Sequence, residues 1–203
     1  MFTPRVARKN LERYRRKGLP GLERRMVARS SAEGVAGARV LEIGGGIGAV
    51  QAELLSAGAS TGQIVELVPS YEPYARELAR ERGFEERTTF VVADLLDDPA
   101  AVEAADVVVL NRVVCCSPEG VELMSVAAAL TLRKLLASYP RDVAWIRLGI
   151  HTINLLQRLR RRSFRAFVHP PAALRAAAET EGLRVSEIGG TTMWEYVELR
   201  RAS

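Results

Sequence analysis

Val40-Leu-Glu-Ile-Gly-Gly-Gly-Ile-Gly48 decides the fold. Arg39–Ile43 reads as a short apolar strand, Gly44–Gly48 as the turn after it, and Ala49–Ala57 as a helix closed by Gly58 as a C′ residue. Glycines at a strand-to-helix turn permit positive φ and let a ligand approach the backbone closely. Amides at the following helix start can bind a carboxylate or phosphate. The spacing alone leaves the ligand open. Gly44-x-Gly46-x-Gly48 is one reading, Gly44-x-Gly46-x-x-Ala49 satisfies the dinucleotide fingerprint, and a purely structural turn is a third.

Outward from this turn the chain alternates strand and helix. Gln63–Val68 reads as a second strand, Tyr71–Arg82 as a helix ending at Gly83, and Thr88–Ala93 as a third strand. Asp106–Leu110 is a fourth strand, apolar throughout, as strands covered on both faces tend to be. Leu123–Ser138 reads as a helix, Val143–Leu148 as a fifth strand and Ile153–Arg162 as a further helix. Pro170 and Pro171 open a helix over Ala172–Glu181, and Arg184–Ile188 with Met193–Leu199 flank Gly189-Gly-Thr-Thr192 as a closing hairpin. The pattern predicts an α/β, doubly wound, mostly parallel seven-stranded sheet with a C-terminal antiparallel hairpin and N-terminal helices.

Three acids fall at the carboxyl ends of adjacent strands, where open α/β sheets place ligands. Glu42, two residues before the first glycine, suits a ligand that carries an amino group, whereas pyrophosphate favours positive groups there. Glu66 follows the turn by about 20 residues, where an acid accepts both ribose hydroxyls. Asp94 is placed to accept from an exocyclic adenine amine, with Leu95 beside it to pack on the ring.

This constellation resembles the class I S-adenosylmethionine-dependent methyltransferases over residues 38–200. The resemblance implies a cofactor site of Glu42, Gly44, Gly45, Gly46, Ile47 and Gly48 for the methionine portion. It implies Glu66 for the ribose, Asp94 with Leu95 for adenine and Asn111 at the methionine part, with Leu67 and Arg112 also among the cofactor-binding residues. The hairpin fits this family better than a nicotinamide-type domain, which keeps a parallel sixth strand. A narrower resemblance lies in Asn111-Arg-Val-Val-Cys-Cys-Ser-Pro118, which is similar to small bacterial O-methyltransferases of the magnesium-protoporphyrin and ubiquinone-pathway group. That group has an Asp at the first position and an aromatic before the proline, where this chain has Asn111 and Ser117. The signature of base-methylating enzymes is absent at 111–114.

Composition bounds the rest. With 203 residues, 48% of them apolar, and a mean hydropathy near zero, the chain reads as a single domain, 1–203. No apolar run approaches a membrane span, and the N-terminus lacks a signal-peptide core, so the expected location is cytoplasmic. Cys115 and Cys116 are too few for a zinc site or a disulfide framework, and adjacent side chains in an extended segment point to opposite sides. Residues 1–29 hold ten bases against two acids, whereas the remainder holds 19 bases and 22 acids. The expected division is a basic helical arm at 1–35, acting as a lid, over a catalytic core at 38–200. Thr3 and Pro4 start its first helix, Val6, Leu11 and Tyr14 share one face, and Leu22–Ala28 forms a second short helix.

The leading expectation is methyl transfer to a small-molecule acceptor at oxygen, with no nucleic-acid partner and no metal. Lid residues Tyr14, Arg16 or Lys17 would lie near the cofactor carboxylate. The alternatives are an RNA or protein methyltransferase using the basic arm, and a non-catalytic cofactor-binding protein. No basic–aromatic interleaving supports RNA. Of the two histidines, His151 and His169, the latter is the candidate acceptor-side base. It precedes two prolines that hold its backbone extended.

Overall fold

A computed structural model describes residues 3–32 and 34–202. Met1, Phe2 and Glu33 of the expected arm, and Ser203, lie outside the described residues. Helices α1 (Pro4–Lys17) and α2 (Gly21–Ala32) precede β1 (Arg39–Ile43), α3 (Ala49–Ser56), β2 (Thr61–Glu66), α4 (Glu72–Glu81), β3 (Thr88–Val92) and β4 (Ala105–Asn111). Then follow α5 (Gly120–Ala129), β5 (Thr131–Pro140), α6 (Ala144–Leu159), α7 (Pro171–Thr180), β6 (Leu183–Gly190) and β7 (Trp194–Arg201). The seven strands form one sheet in the order β3-β2-β1-β4-β5-β7-β6, in which β7 runs antiparallel to both of its neighbours.

Alternation along each strand sends side chains to two cores. Leu41, Ile43, Val108, Leu110, Leu135 and Ala137 face Leu123, Met124 and Ala127 of α5 and Leu174 of α7. Val40, Val107, Val109 and Leu136 face Leu22 and Met26 of α2 and Val50 and Leu54 of α3. Helix α1 lies further out, burying Ala7, Leu11 and Tyr14 with Tyr71 and Leu78. Its face is therefore set by Ala7 rather than Val6, which is half-buried. The Thr3 side chain caps it by accepting from the Val6 amide at 3.4 Å.

Two expectations about the chain fail together. Residues 123–138 are not one helix, and 143–148 is not the fifth strand. The helix stops at Ala129 and the strand begins at Thr131; Trp145–Leu148 belongs to α6. Leu, Lys, Arg and Ala between 130 and 137 are good helix formers, and no glycine or proline marks the break. The slot between β4 and β7 overrides that local preference. β5 pairs with both neighbours, and Lys134–Pro140 is buried throughout. The second helix also runs longer than expected, to Ala32, because it covers Val40 and Val107 across the sheet.

Candidate functional site

Glycine at position 44 is dictated by the turn itself. Its φ is +63°, and a Cβ there would come within 2.5 Å of the Val113 side chain. The turn passes directly beneath the segment after β4, so the backbone borders a cavity instead of being shielded by side chains. That cavity, about 680 Å³, opens outside the carboxyl ends of β1, β2, β3 and β4. This is the crevice an open parallel sheet leaves on either side of its first strand.

Of the residues expected at the site, the structure brings eleven to this cavity: Glu42, Gly44, Gly45, Gly46, Ile47, Glu66, Leu67, Asp94, Leu95, Asn111 and Arg112. Gly48 is not among the lining residues. It packs against Ile64 under the turn and stands at the N-cap of α3.

The acids are held by backbone amides. Glu66 accepts from Gly46 N at 3.0 Å through Oε2 and from Val68 N at 3.1 Å through Oε1. Asp94 accepts from Leu96 N at 3.0 Å. Glu42 is buried below the turn and accepts from Gln51 N at 3.0 Å. Burial pushes its carboxyl up to about 8; the Gln51 amide opposes this rise, and the nearby Glu66 charge adds to it. Burial also raises Glu66, against the amides that favour its charged form. Glu66 and Asp94 leave the cavity floor acceptor-rich and suited to hydroxyl or amine groups, while Glu42 below the turn keeps its proton up to about 8.

Sequence reasoning missed the roof. Glu23 on α2 reaches the cavity almost fully buried and pairs with the Arg112 guanidinium at 3.0 Å through Oε1, with Asn111 Nδ2 at 3.4 Å from the same oxygen. Among the described residues, its Oε2 and Arg112 Nε are buried without hydrogen-bond partners. Arg112 has φ +60° and spreads its guanidinium over the Trp194 ring at 4.6 Å. A Glu in a basic helix carries no local signal that it turns inward. Asn10, Arg13 and Phe164 also line the cavity.

Tyr14 lines the cavity too, but its hydroxyl is bonded to Glu53, and Arg16 and Lys17 are not lining residues. The arm's charges are partly spent on fastening it. Arg15 pairs with Glu77 and Glu81 of α4, and Arg29 with Glu187 of β6.

His169 is not a lining residue. Its Nε2 lies 3.0 Å from the carbonyl oxygens of both Val114 and Ser117, so this nitrogen must be the proton donor. Phe167 N donates to Cys115 O at 2.8 Å beside it. The 113–117 segment forms a tight helical turn rather than an extended run. Both cysteine sulfurs consequently lean on Arg112 O, at 3.4 and 3.7 Å. Cys116 lines the cavity, and Cys115 is buried.

The residues present fit a nucleoside joined to an amino-acid tail. Acids stand at the ends of three strands, a glycine turn borders the cavity, and unspent polar atoms of Glu23 and Arg112 mark one end.

Residues 41–132 match the family model described as a methyltransferase domain. Among solved structures, the magnesium protoporphyrin IX methyltransferase from Synechocystis PCC 6803 with bound S-adenosylhomocysteine superposes with a TM-score of 0.72. It is 21% identical, over 89% of this chain and 82% of that one. An O-methyltransferase family protein from Burkholderia thailandensis gives 0.71 at 25% identity, over 90% of this chain and 57% of that one. A putative RNA methyltransferase from Pyrococcus horikoshii gives 0.63 at 12% identity, over 89% and 82% of the two chains. No curated protein sequence matches the chain.

Proposed function

We propose that this chain, an S-adenosylmethionine-dependent methyltransferase of class I fold, methylates a small molecule at oxygen. The fold does not choose the acceptor, because proteins named for a porphyrin and for RNA share it. The observation that carries the reading is the roofed cavity. Its 680 Å³ falls in the range of about 300–1,000 Å³ typical of small-molecule sites. Asn10, Arg13, Leu19 and Pro20 of the N-terminal segment and Phe164 of the return from α6 stand among its walls. Helix α1, which Arg15 ties to α4, thus forms part of the cavity wall.

In this reading residues 1–35 form the lid and 38–200 the catalytic core. Glu66 and Leu67 hold the ribose, and Asp94 and Leu95 the adenine. The Gly44–Gly46 backbone, with Glu42, Asn111, Arg112 and Glu23, takes the amino-acid end. The cofactor, when bound, supplies a methyl group already activated on a sulfonium, so the protein's main task is alignment. Asn10, Arg13, Cys116, Ser117 and Phe164 would orient the acceptor and keep water out. Oxygen as the acceptor atom rests on the likeness of Asn111–Pro118 to the O-methyltransferase group.

The test is methyl transfer from labelled S-adenosylmethionine to separate panels of phenols, carboxylic acids, amines, RNA and protein. Label appearing in a small-molecule ether or ester is the expected result. Label confined to RNA or protein would overturn the proposal.

A further inference from the structure

Helix α6 turns its apolar side to solvent. Trp145, Leu148, Leu155, Leu156 and Leu159 recur at helical spacing and lie on one face, with exposures of 50%, 67%, 50%, 46% and 72%. Ile146 is the helix's one buried residue. The opposite side is fixed: Asn154 Nδ2 donates to Ala166 O at 2.7 Å, and Ala166 N donates to Asn154 Oδ1 at 2.9 Å. The helix is therefore held in place by its polar flank, with an apolar stripe left outward.

The charge around that stripe is mostly positive: Asp142, just before the helix, holds Arg147 through both carboxylate oxygens, and the other arginines follow without an acid. From Val143 to Phe167 the chain carries six arginines (Arg147, Arg158, Arg160, Arg161, Arg162 and Arg165) and no acid. Arg158, Arg160, Arg161 and Arg162 are exposed. Arg158 flanks the stripe on the helix, and the next three arginines close its end.

We infer that α6 is an interfacial helix that seats the protein on an anionic lipid surface. A tryptophan and leucines on one face, with arginines beside them, match what such a surface demands of a helix lying in its plane. A second copy is the poorer occupant, since each α6 would bring the same excess of arginines, with no acid from Val143 to Phe167 to meet them. No helix of the described residues is long and apolar enough to cross a membrane, so the contact is peripheral.

The experiment is co-sedimentation of the full chain with vesicles of phosphatidylcholine alone and of phosphatidylcholine with phosphatidylglycerol. Binding to the mixed vesicles alone, weakened at high salt, is the expected result. Leu148→Asp with Leu159→Asp should reduce that binding at least about tenfold. Replacing Arg160, Arg161 and Arg162 by Gln should reduce it about fivefold for each arginine. The rise in melting temperature caused by S-adenosylhomocysteine serves as the fold control and should persist in both variants. Absence of binding to anionic vesicles would overturn the inference. So would equal binding to neutral ones, unchanged binding of the double-Asp variant, or a concentration-dependent dimer that this variant abolishes.

Discussion

The Glu66 carboxylate holds the Gly46 amide at 3.0 Å, so the end of β2 is fastened to the turn that follows β1. Its second oxygen holds Val68 N at 3.1 Å. The same acid that would meet a ribose therefore also shapes the glycine turn, and one substitution tests both functions.

Glu66→Ala is expected to weaken S-adenosylhomocysteine binding by about 1–3 kcal/mol and also to lower the melting temperature, because it leaves two amides without their acceptor. Glu66→Gln keeps an acceptor oxygen and should recover part of the stability while affinity stays reduced. Calorimetric titration paired with thermal unfolding separates the two effects. Full affinity in Glu66→Gln would remove the ribose role.

Glu42 makes stability depend on pH. Its folded carboxyl keeps its proton up to about 8, whereas the unfolded one loses it near 4.5. The native state thus binds more protons across that interval, and its contribution falls as pH rises through it. The melting temperature of the ligand-free protein should decline between these limits more steeply in the native chain than in Glu42→Gln. Parallel profiles from pH 4.5 to 8 would show that this carboxyl does not carry the dependence.

His169 joins two parts of the chain, with Nε2 serving the carbonyls of Val114 and Ser117. Its replacement by Ala should cost about 1–3 kcal/mol by stranding these acceptors, measured by denaturant unfolding. Turnover should be retained. Loss of turnover at unchanged stability and unchanged S-adenosylhomocysteine affinity would assign the proton-accepting role to this histidine instead.

Much of the site could be read from local chemistry. A strand running into Gly44–Gly48 has few alternatives to a tight turn and a helix start, and acids at strand ends need only the strand boundaries to be placed. Glu42, Glu66 and Asp94 converge for that reason, and the closing hairpin forms as expected, although Gly189 and Gly190, expected in its turn, pair within β6 to Tyr196 and Glu195.

What local pattern could not supply was anything set by distant neighbours. The Leu130–Tyr139 stretch is helical by propensity and becomes β5 because β4 and β7 bond both of its edges. Glu23 looks like one more exposed helix charge until α2 lies across the sheet and turns it toward Arg112. Gly48 and His169 sit within or beside chemically suggestive sequence, yet packing against Ile64 and the 114–117 carbonyls claims them. Turn geometry is encoded within a few residues, because sterics act at short range. Which strand fills a slot, and which side chain faces a cavity, depends on surfaces that exist only once the chain has folded.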